Sequence, residues 1–294
     1  MGLPQLPDYR RVLAASLEED IGIGDVTTLA TVPAEATTVG LMVAREDLVL
    51  AGGVVAESAF RECSPDLRFE LRFSDGEEVK AEEVILRVQG NARAILTAER
   101  VALNWVQRLS GIATLTREYV RAVRGNATKI LDTRKTTPGL RALEKYAVTC
   151  GGGHNHRMGL YDQALIKDNH LAVLRDARPN AIAAAIGRIR QDAPGVRVEV
   201  EADTLEQVAQ AADAGADIIL LDNLSLEDLR LAVELVGGRA LLEASGGVQL
   251  ASVADIARTG VDHISVGALT HSARAMDIAL DSEQSLEDHH GRRS

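Results

Sequence analysis

The stretch AADAGADIILLDN, residues 211–223, closes a helical run at Gly215, turns through Asp217 and enters a short apolar run that stops at Asp222. IARTGVDHISVGA, residues 256–268, repeats that plan with Gly260, Asp262 and an apolar run that stops at Gly267. A helix, a glycine stop and a short apolar strand in that order make one helix–strand unit. Working outward, strand-like runs recur at 129–133, 164–168, 197–202, 217–222, 241–245 and 263–267, with helical patterns at 180–190, 205–214, 226–236 and 253–259. Strands alternating with helices of this length predict an α/β fold built of βαβ units, with right-handed crossovers and a parallel sheet. Six strands fall short of the eight of a full barrel, so either one strand escapes the pattern or the barrel is incomplete.

Each run stays apolar until its last positions. There the chain delivers Arg134 and Lys135, Lys167 and Asp168, Glu201, Asp222, Ser245 and Gly246, and finally Gly267. The carboxyl ends of parallel strands face one mouth, where such groups can meet a ligand. Residues 129–170, KILDTRKTTPGLRALEKYAVTCGGGHNHRMGLYDQALIKDNH, add His156 and Arg157 after a triple glycine. Five cationic or protonatable groups in a chain of formal charge −11 point to a pocket for an anion. Two such cations about 4 Å apart repel by roughly 4 kcal/mol at an effective dielectric near 20, so the cluster needs an anion or carboxylates among it. Any one of them could instead be a solvated partner of Glu144, Asp162 or Asp168; all of them at strand ends fit the pocket better.

Glu201 and Asp222 end successive strands and could ligate Mg²⁺ or accept hydrogen bonds from sugar hydroxyls. Asp203 and Asn223 fit helix N-caps. Ser245-Gly246-Gly247, and Gly267 before a helix, fit a backbone cradle for phosphate. His154, His156 and His170 lack the spacing of a metal site, and Arg157 beside His156 would repel a cation. Neither a phosphate loop ending in Lys-Ser/Thr nor a dinucleotide fingerprint occurs. Cys150 has no evident base to make it a nucleophile.

The first hundred residues read differently. A helix is expected over 8–19, ended by Gly22-Ile23-Gly24-Asp25, and strands at 37–45, 48–51, 67–73 and 84–88. Residues 67–73, LRFELRF, alternate strictly, as in an antiparallel sheet wet on one face. Residues 97–123 predict helix in two segments broken near Gly111, with Arg100, Arg108 and Arg117 around an apolar stripe. The expected domains are 1–110, a small α+β domain, and 111–294, the α/β barrel with its tail; the tail, carrying His289-His290 and Arg292-Arg293, is expected to fray.

Hydrophobic residues make up 46% of the 294 and aromatics only 3%, which suits helices on a parallel sheet better than a β-sandwich. A pI near 5.2 argues against nucleic acid as a partner. No signal-peptide pattern and no run long enough to span a bilayer is present, and Cys63 and Cys150 show no redox or metal spacing. The expectation is a cytoplasmic protein without membrane contact.

Taken in order, EDIGIGDVTT, ERVALNWVQRLSGIAT, LDTRKTTPGLR, GGGHNHRMGL, LIKDNH, VEVEAD, ILLDN, EASGG and VGALTH resemble the quinolinate phosphoribosyltransferases, over about residues 17–275. The resemblance implies an open-faced N-terminal sandwich, an incomplete α/β barrel, and a homodimer, or a higher oligomer, in which Arg100 of one subunit reaches the other's barrel. It implies substrates quinolinate and phosphoribosyl pyrophosphate, with Mg²⁺ as cofactor, directly or indirectly at Glu201 and Asp222. Thr133, Arg134, Lys135, His156, Arg157 and Lys167 match the substrate pocket. Glu201 and Asp222 match the acidic pair near the ribose, and Ser245, Gly246 and Gly267 the phosphate loops. Lys135, Glu201 and Asp222 are the expected catalytic groups. The product would be nicotinate mononucleotide, with pyrophosphate and CO₂ released, a step of NAD biosynthesis. A paralogue of the molybdenum-utilisation type and a non-catalytic sugar-phosphate sensor are the competing readings, and GGGHNHR and ERVALN favour the first.

Overall fold

The computed structural model describes residues 5–283; the expectation for the histidines and arginines of the tail lies outside the described residues. By their internal contacts these residues form two compact units, one of 5–117, 137–152 and 272–283, the other of 118–136 and 153–271.

The first unit begins with α1 (Arg10–Ile21), which buries Leu13 and Leu17 one turn apart, and α2 (Val26–Thr31), whose first turn is capped where Thr28 N–H donates to Asp25 Oδ1 at 2.9 Å. Strands β1 (Thr37–Ala44) and β2 (Leu48–Val49), helix α3 (Gly53–Cys63), and strands β3 (Arg68–Leu71), β4 (Glu78–Val79) and β5 (Val84–Asn91) follow. β5 pairs antiparallel with both β1 and β3, and β3 alternates exposed with half-buried residues as its sequence predicts.

Helix α4 (Ala92–Ala122) then runs unbroken for 31 residues. This corrects the break expected at Gly111. A Cβ there would stand 1.8 Å from the Arg274 carbonyl oxygen, so the glycine serves a close backbone approach and the helix passes through it.

The second unit holds β6 (Lys129–Leu131). The chain next contributes α5 (Arg141–Cys150) to the first unit, where the Tyr146 hydroxyl donates to buried Asp75 at 2.7 Å. It then resumes with β7 (Ala164–Ile166), α6 (Asp168–Val173), α7 (Ala181–Asp192), β8 (Val198–Ala202), α8 (Leu205–Asp213), β9 (Ile218–Asp222), α9 (Leu226–Val236), β10 (Leu241–Ser245), α10 (Val253–Ala257), β11 (His263–Ser265) and α11 (Ala268–His271). Thr204 and Ser225 cap α8 and α9 through their hydroxyls, not Asp203 and Asn223 as expected. The reason is register: each hydroxyl stands three residues before the N–H it accepts.

Six strands pair in parallel in the order β6-β11-β10-β9-β8-β7. β6 and β7 form the two edges, so among the described residues the barrel is incomplete and its seam lies between them. β8 and β9 are buried along nearly their whole length and loosen only at Glu201 and Asp222, as strands covered on both faces should. At the seam, His154 makes a single parallel bridge to Leu131, which brings the segment that follows it to the open edge of β6. Finally β12 (Ile278–Ser282), which the sequence pattern did not announce, pairs antiparallel with β1 and completes a four-stranded sheet β12-β1-β5-β3 in the first unit.

Candidate active site

Side chains of a strand alternate between its two faces, so residues two apart share one. In the second unit this gives the barrel interior two layers. Glu201 is the penultimate residue of β8, and Asp222 and Ser245 end β9 and β10; two residues earlier on the same faces stand Glu199, Leu220 and Glu243. Lys167 follows β7 above Leu165, and Gly267 follows β11 above Ser265. A cavity of about 880 Å³ opens over the upper layer, and Leu165, Leu220, Glu243 and Ser265 form part of its lining.

The cations gather around it. Thr133, Arg134 and Lys135 leave β6 in a tight loop in which Lys135 N–H donates to Thr133 Oγ1 at 3.0 Å. The buried Thr270 hydroxyl donates to the Lys135 carbonyl at 2.7 Å, fixing the loop to α11. The seam segment supplies His156 and Arg157. Arg157 is 9% exposed, and its guanidinium donates to the Gln163 carbonyl at 3.3 Å. Burial first, and the Arg134 charge second, hold the Arg157 pKa below its ordinary value. Two guanidiniums that disfavour each other's charge in a shared cavity are an arrangement an anion relieves.

On the opposite side the groups are acidic or bare backbone. The Lys167 ammonium pairs with Glu201. Asp222 Oδ2 accepts from Asn223 Nδ2 at 2.8 Å, and Asn223 N–H donates to the Ser245 carbonyl at 3.0 Å, tying β9 to β10 at the rim. Asn223 takes φ 54°, which its short polar side chain tolerates. Gly246 has φ 95°, and a Cβ on it would stand 2.1 Å from Asn223 Oδ1. Glycine is required there on both counts. A Cβ on Gly267 would stand 3.1 Å from Lys135 Cδ and from His271 Nε2, so side chains already crowd that backbone.

Below this rim lies a cluster that the sequence analysis missed. Glu199 and Glu243 are both fully buried, and His156 Nε2 stands 2.9 Å from Glu199 Oε2 and 3.6 Å from Glu243 Oε1. Gln163 Nε2 donates to Glu199 Oε2 at 2.7 Å. The other histidine nitrogen, Nδ1, accepts from Arg157 N–H at 2.7 Å, and His156 N–H donates to buried Asp132 at 2.9 Å. Nδ1 therefore carries no proton, and His156 is the neutral Nε2–H tautomer directed at Glu199. Burial and then the Glu199 charge push the Glu243 carboxyl up to about 7. The signal was present in VEVEAD and EASGG: if Glu201 and Ser245 face the mouth, period two sends Glu199 and Glu243 to the same interior one layer down.

All the expected site residues except Arg100 line this one cavity. Arg100 is exposed on α4 in the first unit and is not part of the lining. The arrangement suits a small, multiply charged anion held against cations, beside a polyhydroxylated or phosphorylated group facing carboxylates and glycine backbone. No helix of the described residues is long and apolar enough to cross a membrane.

The chain is similar to known proteins over most of its length. Residues 25–110 match the N-terminal domain model, and residues 112–281 the C-terminal domain model, of quinolinate phosphoribosyl transferase. It is 47% identical over 278 residues to the nicotinate-nucleotide pyrophosphorylase [carboxylating] of Mycobacterium leprae, covering 92% of this chain and 96% of the relative. A probable enzyme of the same name from Bacillus subtilis is 44% identical over 274 residues, covering 92% and 93%. Among solved structures, the Francisella tularensis nicotinate-nucleotide pyrophosphorylase superposes with a TM-score of 0.89 at 40% identity, covering 96% of this chain and 99% of that one. Streptococcus pyogenes NadC gives 0.90 at 38%, covering 95% and 98%.

Proposed function

This chain belongs to the quinolinate phosphoribosyltransferase family, and we propose how its cavity performs the family's reaction. The enzyme is a decarboxylating phosphoribosyltransferase of NAD biosynthesis. Its substrates are quinolinate and phosphoribosyl pyrophosphate. Arg134, Arg157 and Lys135 hold the vicinal carboxylates of the pyridine, with Thr133 at the loop's turn. Ser245, Gly246 and Gly267 receive phosphate on their backbone N–H groups. The observation that carries this assignment is the convergence of Arg134, Lys135, Arg157 and Lys167 on one cavity whose other wall holds Glu201 and Asp222.

Binding so many cations to one dianion fixes the ring nitrogen in line with the anomeric carbon, and such positioning replaces a bimolecular encounter. As pyrophosphate leaves, positive charge grows on the ribose, and Glu201 and Asp222 on the cavity wall stabilise it. Lys167, already paired with Glu201, can turn toward the departing phosphates. His156 commits both ring nitrogens to protein partners, so its part is to shape the floor under the ring and to steady Arg157 through its backbone. Once the ring nitrogen is quaternary it withdraws electrons from the neighbouring carbon, and the adjacent carboxylate departs as CO₂.

Glu201 and Asp222 fit Mg²⁺ as hard oxygen donors on adjacent strands, Asp222 being held in place by Asn223. When bound, the ion neutralises charge on the leaving pyrophosphate.

The same reading makes the protein a homodimer that donates Arg100 across the interface. Arg100 stands one turn beyond exposed Leu96 on α4, and Thr97 and Arg93 hydrogen-bond to the α2 region, where Ile23, Val26 and Leu29 are exposed. A cation one turn from an exposed leucine suits docking against a second copy's cavity once an anion fills it. The free thiols of Cys63 and Cys150 accord with a cytoplasmic enzyme.

A panel of pyridine acids tests the reading: with phosphoribosyl pyrophosphate and Mg²⁺, quinolinate should yield CO₂ and nicotinate mononucleotide in equal amounts. Absence of product, or faster turnover of a monocarboxylate, would overturn it.

A further inference from the structure

Loss of CO₂ leaves an electron pair on the ring carbon, and that carbon must gain a proton before product can leave. The rim arginines do not give up their protons, and the Lys167 side chain is engaged by Glu201. His156 directs its only ring proton at Glu199. An acid is needed, and the floor of the cavity contains one.

Asp132, Glu199 and Glu243 are three buried acids within one cluster, facing one neutral histidine and the Arg157 guanidinium. Burying that many negative charges is far costlier than keeping a proton among them. The hydrogen bonds place the proton. Asp132 accepts from His156 N–H, and Glu199 Oε2 accepts from both Gln163 and His156. Neither oxygen of Glu243 has a hydrogen-bond donor among the described residues. Burial first and then Glu199 on β8 favour its protonated form, as does Asp132 beyond β6, while His156 and Ser265 of β11 oppose them less strongly. Glu243 also lines the cavity, directly below Ser245 on the same face of β10.

We propose that Glu243 is the general acid that protonates the ring carbon left by decarboxylation. The carbon–carboxylate bond breaks, CO₂ departs without the electron pair, and the pair takes the proton from the Glu243 carboxyl. A C–H bond forms and Glu243 becomes a carboxylate, which regains a proton from solvent after product release. Glu199, held by Gln163, keeps His156 and its own charge in place and thereby keeps the proton on its neighbour. This assignment rests on the decarboxylating reaction proposed above.

The test is the pH dependence of kcat in the wild type, Glu243→Gln and Glu243→Asp, with infrared spectra of the free proteins. Wild-type kcat should fall as pH rises through the titration of Glu243. Glu243→Gln should lose about 100-fold or more in kcat near neutral pH, as removal of a general acid does, with KM for quinolinate little changed and no alkaline fall. Glu243→Asp should keep the fall and part of the rate. A protonated-carboxyl band near neutral pH should be seen in the wild type and be missing in Glu243→Gln. A Glu243→Gln enzyme within about threefold of wild-type kcat would overturn the proposal, and so would a wild type with no protonated carboxyl at pH 6, even if the variant did not fold. Failure of the wild type to release CO₂ from quinolinate is a separate result, visible before any variant is made, and would remove the reaction itself.

Discussion

Arg157 shows how a single residue converts burial into specificity. Its guanidinium is nearly excluded from water, opposed by Arg134, and answered among its hydrogen bonds by a backbone carbonyl. Removing such a group strips a partner from a buried anion, which typically costs about 2 to 5 kcal/mol. Arg157→Ala or Arg134→Ala should therefore lower kcat/KM for quinolinate by roughly 30-fold to several thousand-fold. A loss under about tenfold in steady-state assays would mean that the dicarboxylate is held elsewhere. Glu243 makes a second residue-level prediction, this time on stability. Its carboxyl titrates at about 7 in the folded protein against an ordinary 4.5, so between those values the native state holds a proton that the unfolded chain has lost. Stability falls as pH rises across that window and levels off above it, by up to about 3 kcal/mol for this group. Urea melts between pH 5 and 8 should show that slope in the wild type and a flatter one in Glu243→Gln; a difference between the two that is independent of pH would contradict the assignment.

At the scale of elements, Gly111 separates two opposed effects. Helix propensity alone says that Gly111→Ala stabilises α4 by about 1 kcal/mol. The contact with the Arg274 carbonyl says that the added methyl must displace backbone, a loss of roughly 1 to 3 kcal/mol. We expect destabilisation in thermal melts, and a gain in melting temperature would show that the approach is looser than described. The same residue marks where the sequence was hard to read. A glycine in a helical pattern signals either a break or a close approach, and only the partner, 163 residues away at Arg274, distinguishes them. β12 escaped for a related reason: IALDS gains its strand character from pairing with β1, a contact with no local signature. The six parallel strands were legible because burial on both faces writes apolar runs into the sequence, and their carboxyl ends were legible because polar residues gather where those runs stop. Glu199 and Glu243 were overlooked because charged residues inside a strand suggest a wet face, and the parity that turns them inward depends on knowing which way Glu201 and Ser245 point.

For the whole molecule, the proposed dimer makes a complementation prediction. Arg100→Ala should inactivate a site completed by its partner, and Asp222→Asn should inactivate the site of its own subunit. Mixed subunits of a two-fold dimer give half heterodimers, each with one intact site, so activity should recover to roughly a quarter of wild type. Dimers that exchange subunits without any recovery would show that Arg100 acts within its own chain or not at all. The acidic chain as a whole, at −11, makes the cationic cavity a local inversion of charge, which steers small anions to one mouth and weakens with salt.

The central claim is that guanidinium and ammonium groups from separate strand ends grip a vicinal dicarboxylate beside an activated sugar. Co-crystallisation with phthalate and phosphoribosyl pyrophosphate tests it most directly, since phthalate keeps both carboxylates but lacks the ring nitrogen and cannot react. Both carboxylates should lie on Arg134, Lys135 and Arg157, with the ribose against Glu201 and Asp222 and the 5′-phosphate on the Gly246 and Gly267 backbone. A dicarboxylate bound away from those cations, or a sugar phosphate turned from the two acids, would contradict the account.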